Sequence, residues 1–124
     1  DLLLARMDVR LIIQVLVNLV DNAIKYTPSG STITIRALKK NEKAWISVED
    51  NGPGISDEIK PHIFEMFFTG GNNIADSQRS LGLGLALCQS IVEGHGGKMK
   101  LGDNDPHGCI FSFALPLSEV ILNE

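Results

Sequence analysis

The chain has 124 residues, with 11 Lys and Arg against 15 Asp and Glu and a formal net charge of −4. That length suits one domain with a substantial core, and the acidic balance argues against a nucleic-acid or anionic-membrane surface, so any bound phosphate must be met by local groups. Cys88 and Cys109 lack metal-ligand spacing and His62, His95 and His107 are scattered, whereas a zinc site needs clustered ligands; a reduced cytoplasmic setting is expected.

The chain opens on Asp1, and Leu2-Leu3-Leu4 reads as the tail of a strand, so a fragment of a longer protein is expected. Residues 11–20 form the longest apolar region, but Gln14 and Asn18 interrupt it, and a membrane span needs about 20 apolar residues. Residues 8–26 carry helical periodicity, with Ile12, Leu16, Leu19, Val20 and Ala23 on one face, and Thr27-Pro28-Ser29-Gly30 ends the helix. Residues 31–39 and 43–49 then alternate apolar and polar and predict an antiparallel hairpin around Lys40-Asn41-Glu42. Ser56 is expected to start a short helix, with Asp57 and Glu58 in its first turn and Phe64, Phe67 and Phe68 near its end. A polar stretch over residues 69–80 precedes a second amphipathic helix over 83–93, closed by Gly94-His95-Gly96-Gly97. Two more strands, 98–101 and 109–117, flank a turn over 103–108. Adjacent strands packed by helices on one face predict a two-layer α/β sandwich whose mixed sheet is mostly antiparallel.

Three segments carry chemistry. On the first helix, Asn18, Asn22 and Lys25 fall within about 60° of one another at 3.6 residues per turn. An amide oxygen is a hard ligand suited to Mg²⁺, and an ammonium suits phosphate oxygens. In Asp50-Asn51-Gly52-Pro53-Gly54-Ile55 the glycines allow crowded backbone geometry and the proline stiffens it, so one carboxylate is held toward a pocket. Asp50 is a natural acceptor for the exocyclic amine of adenine, and Gly54 lets backbone approach the base. Gly82-Leu83-Gly84-Leu85 opens a helix, whose exposed N–H groups favour phosphate. It is no P-loop, since no Gly-Lys-Ser/Thr follows, and no Rossmann turn, since a polar loop rather than a strand precedes it.

In order and spacing, Asn22, the segment 50–54, the segment 64–68 and the segment 82–84 match the N box, first glycine box, phenylalanine box and second glycine box of sensor histidine kinases. Over nearly its whole length the chain resembles the ATP-binding catalytic domain of that family, part of the GHKL superfamily. The wording of residues 69–88 is most similar to the KdpD-type potassium sensor kinases. The resemblance implies a Bergerat-type ATP-binding fold over residues 1–124, with ATP and Mg²⁺ as cofactors. It implies that Asn22 coordinates Mg²⁺, Lys25 meets the phosphates, Asn18 supports the triphosphate site and Tyr26 packs near the sugar or base. Asp50, Gly52, Gly54 and Ile55 would form the base pocket, with Phe67 at the base of a movable lid, and Gly82, Leu83, Gly84 and Leu85 would lie along the phosphates.

The chain departs from the family pattern in three places. Thr69 stands where Arg is common, with Arg79 as a substitute charge or a solvated loop residue. Ser80 and Leu81 replace part of the second glycine box. Cys109 stands where a Thr hydroxyl usually assists the adenine contact; a thiol is a weaker hydrogen-bond group, and the side chain is equally readable as core. The implied partners are a histidine-bearing dimerisation domain outside this chain and a response regulator with an acceptor aspartate, KdpE-like on the closer match. Neither nucleic acid nor direct membrane contact is expected, and the parent is expected to be a homodimeric, membrane-anchored sensor with this domain in the cytoplasm. The rivals are an ATP-driven conformational machine of the same fold and an interaction module that has lost catalysis.

Overall fold

The computed structural model describes residue 5, residues 7–65 and residues 84–117. Helix α1, Val9–Tyr26, begins where the Asp8 carboxylate accepts from Arg10 N at 3.1 Å and Leu11 N at 3.3 Å, which satisfies two of the amides that a helix start leaves without partners. The Asp8 N–H donates to His95 Nε2 at 2.9 Å, and His95 Nδ1 donates to Ile91 O at 2.8 Å. One imidazole thus ties the start of α1 to the end of the second helix. Ile12, Val15, Leu19 and Ala23 are the buried residues of α1, while Leu16 and Val20 are only partly buried against the core. The core stripe therefore includes Val15, which the expected face omitted. The second helix draws it round: the Cys88 thiol lies 3.8 Å from Val15 O.

Strands β1, Ile33–Lys40, and β2, Lys43–Asp50, form the expected hairpin with full register from Ile33↔Asp50 to Lys40↔Lys43. Asn41 and Glu42 have φ of 55° and 62°, the left-handed pair that lets a two-residue turn follow the strand twist. The predicted helix at Ser56 is instead a hydrogen-bonded turn leading into one 3₁₀ turn, Lys60–His62. Pro61 supplies no amide to extend it, and Asp57 serves as an ion-pair partner of Lys60 at 2.8 Å rather than as a helix-dipole group. Helix α2, Gly84–Gly94, ends through Gly96 at φ 82°, the left-handed stop expected of that glycine. Strands β3, Met99–Asp103, and β4, Cys109–Pro116, follow.

The described sheet has the order β1-β2-β4-β3 with every pairing antiparallel. Val48 pairs with Phe111 and Ile46 with Phe113, while Met99 and Leu101 pair with Phe113 and Phe111 from the other side. These side chains share the face covered by α1 and α2, and Phe113, Leu19, Leu115, Val15, Val48, Val92 and Cys88 are fully buried there. Burial of each large apolar side chain is worth about 1.5–3 kcal/mol. Cover runs out at the β1 edge, where Ile35 faces the helix side yet is 56% exposed. On the outer face Lys100 Nζ sits 4.9 Å from the Trp45 ring centroid and Arg36 pairs with Glu49 at 3.1 Å. No helix among the described residues is long and apolar enough to cross a membrane.

Asp8→Ala removes the side-chain cap of α1. Equilibrium urea unfolding should show a loss of about 1 kcal/mol, and an unchanged midpoint would remove Asp8 from that role.

Candidate nucleotide site

Asp50 ends β2 at the point where the sheet meets the end of α1, and it is buried at 6% exposure. Its Oδ1 accepts from Gly52 N at 2.9 Å and from Cys109 N at 3.2 Å. No hydrogen bond to Oδ2 is seen among the described residues. A buried carboxylate with one oxygen doubly engaged by backbone and the other without a partner among the described residues is a fixed acceptor, suited to a ligand N–H.

The turn after Asp50 is held on three sides. Asn51 Oδ1 accepts from Thr32 N at 2.8 Å, which ties the start of β1 to the turn. At Gly52 a Cβ would lie 2.5 Å from Thr27 Cγ2, and the Thr27 hydroxyl is itself anchored by donating to Ala23 O at 2.7 Å. The C-terminal end of α1 therefore packs on the turn, and a side chain at position 52 would force Thr27 to shift. Gly54 has φ 82° and faces Gly108 across a close backbone approach. From the other side, Asn104 Nδ2 donates to Asp50 O at 2.8 Å and His107 Nδ1 donates to Gly52 O at 2.8 Å. Gly108, at φ 118°, lies so close to the Asp50 carbonyl that a side chain there would overlap it.

The expected residues divide as follows. Asn18, Asn22 and Lys25 are half-buried along one stripe of α1, and Lys25 Nζ lies 5.6 Å from the Tyr26 ring centroid. Asn18 also lies near the Cys88 thiol on α2, where its amide pulls the thiol down against the larger upward effect of burial. Asp50, Gly52 and Gly54 come together with the end of α1 through Thr27, and Ile55 packs partly buried against the core. At the start of α2, a Cβ on Gly84 would meet nothing within 4 Å among the described residues, while Leu85 joins the core. Phe67, Arg79, Gly82 and Leu83 lie outside the described residues; Phe64 meets Phe111 edge to face at 6.1 Å.

Cys109 enters the site by its backbone N–H, and its thiol side is buried on the core face beside Phe111 and Phe113. Thr27, Asn104, His107 and Gly108 were not singled out from the sequence, where residues 103–108 read only as a turn. Lys60 adds a second tie from the segment after the turn, bridging Asp57 at 2.8 Å and Asp103 at 2.7 Å. Those two carboxylates hold the Lys60 ammonium above its ordinary value. Among the described residues no cluster of three or more His, Cys, Asp or Glu could hold a metal. The donor set near Asn22 is amide oxygen, which fits a cation that keeps its own waters and shares phosphate oxygens, as Mg²⁺ does.

The sequence profile of histidine kinase-, DNA gyrase B- and HSP90-like ATPases matches residues 7–119. The chain belongs to that family. It is 48% identical over 116 residues to the sensor protein KdpD of Clostridium acetobutylicum, covering 94% of this chain and 13% of that protein. Its structure resembles that of the mycobacterial sensor histidine kinase MprB with a TM-score of 0.81 at 27% identity, covering 94% of this chain and 78% of that one. The catalytic domain of histidine kinase ThkA superposes with a TM-score of 0.74 at 36% identity, covering 90% of this chain and 69% of that one. The fold is that of a histidine kinase catalytic domain, and the chain spans about an eighth of the KdpD length.

Burial raises both thiols from 9.0 to about 11, with the Asp50 and Asp103 charges adding to the effect at Cys109. Because the folded chain holds these protons more tightly than the unfolded one, the contribution is fully present below pH 9.0 and is lost as pH rises toward 11. Urea midpoints should fall over that window, and a thiol-alkylating reagent at pH about 8 should label the chain only after unfolding. Rapid labelling of the folded chain would contradict the buried placement.

Proposed function

We propose that the chain binds Mg²⁺-ATP and presents its γ-phosphate to a histidine on a separate helical dimerisation domain of the same parent, as the catalytic domain of a two-component sensor kinase. The observation that carries this reading is the arrangement of Asp50, with Oδ1 pinned by two backbone N–H groups and no hydrogen bond to Oδ2 among the described residues, beside the end of the helix bearing Asn18, Asn22 and Lys25. Adenine would be read by Oδ2, the triphosphate would run along the Asn and Lys stripe toward the start of α2, and Tyr26 would lie beside the sugar or base. Asn22 would hold Mg²⁺, which when bound neutralises and orients phosphate oxygens. Lys25 would set a positive charge against the same oxygens. Catalysis in such a site is positioning and electrostatics, and the protein makes no covalent bond of its own.

The identity to KdpD supports a KdpD-like parent, anchored in a membrane and responsive to potassium, with a KdpE-like response regulator as acceptor. ThkA has been solved in complex with the response regulator protein TrrA, which supports a regulator partner of this general kind. Within this chain His95 has both ring nitrogens engaged and His107 has Nδ1 engaged, which fits an acceptor located elsewhere.

Calorimetry of ATP binding with and without Mg²⁺ tests the assignment. Asn22→Ala should lose at least about tenfold of the Mg²⁺-dependent affinity, the lower end of what losing even an outer partner of a metal costs. Asn18→Ala should lose less. Equal losses with and without the metal would take Asn22 out of the metal role. The purified chain should also take no acid-labile label from γ-labelled ATP until the dimerisation domain is supplied.

A further inference from the structure

We propose that Asn104 and His107, in the loop between β3 and β4, are positioning residues that hold the base-reading carboxylate of Asp50 in place. The inference rests on the reading of Asp50 given above. Asn104 has three polar groups engaged: its N–H donates to Gly108 O at 2.9 Å and closes the loop, its Oδ1 accepts from Asp105 N at 2.9 Å, and its Nδ2 donates to Asp50 O at 2.8 Å. The loop is thus a closed unit with one amide projecting to the strand that ends in Asp50. His107 projects beside it, and its Nδ1–H reaches the Gly52 carbonyl at 2.8 Å.

These two bonds grip the backbone on either side of Asn51. The residues they grip are the one whose carboxylate accepts and one of the two whose amides donate to it. Cys109, the other donor, is the first residue of β4, two positions beyond His107. A shift of the loop would move both the Gly52 and Cys109 amides relative to Oδ1, and Oδ2 would turn with them. Among the described residues no other side chain donates to either carbonyl: Thr27 packs on Gly52 without a hydrogen bond to it and the Asn51 amide holds β1.

The pinning of Oδ1 also sets what an amide would do at position 50. In Asp50→Asn the oxygen must stay on the two N–H donors, so the NH₂ group would face the base and oppose the adenine amine.

The test compares the unmutated chain with His107→Ala, His107→Asn, Asn104→Ala and Asp50→Asn, reading amide hydrogen exchange at Gly52 and Cys109 and the ratio of ATP to GTP affinity. His107→Asn can place its Nδ2 where Nδ1 donates and is the rescue variant. Loss of one hydrogen bond in His107→Ala or Asn104→Ala should speed exchange at both amides by about fivefold and shrink the ATP preference severalfold, with interior amides of the sheet unchanged. His107→Asn should restore both readouts. Unchanged exchange and an unchanged ratio, or a uniform rise across the sheet, would overturn the positioning role. If Asp50→Asn leaves the nucleotide ratio untouched while His107→Ala still speeds those two amides, the clamp stands and the base reading fails.

Discussion

The structure turns on one buried carboxylate. Asp50 can sit at 6% exposure only because two backbone amides from different segments point at the same oxygen. An uncompensated charge at that depth would cost far more than any single contact returns. Supplying those amides requires that the turn 51–54 double back on itself and that β4 begin beside the end of β2. Both conditions depend on glycine: Gly52 lies under Thr27, and Gly108 lies under the Asp50 carbonyl. The apolar core and the polar site are therefore one construction, since the strand pairing that buries Phe111 and Phe113 also sets Cys109 N against Asp50.

The helices serve the site from the opposite direction. The buried stripe of α1 fixes its rotation, and with it the direction of Asn18, Asn22 and Lys25. His95 performs a comparable service away from the site, joining the start of α1 to the end of α2 through both ring nitrogens. Such ties matter because, on the proposed reading, positioning is the main catalytic resource of the domain.

Much of this was legible in the sequence. Periodicity gave both long helices and the hairpin, and the boxes around Asn22, Asp50 and Gly84 gave the family. What was not legible depended on contacts distant in the chain. Val15 enters the core because α2 packs there, which no single-helix pattern reveals. The turn at Ser56 looked like a helix start by composition, but Pro61 and the Lys60 bridge to Asp103 make a clasp of it. Residues 104–108 looked like any polar turn, because the partners of Asn104 and His107 lie more than fifty positions away.

The most direct test of the central claim, that Asp50 Oδ2 reads the base, is competition of ATP against GTP on the unmutated chain at fixed Mg²⁺. Guanine sets a carbonyl where adenine sets its amine, so a fixed acceptor should favour ATP by about 1.5–3 kcal/mol, or roughly ten- to a hundredfold in affinity. Equal affinity for the two nucleotides would contradict the account.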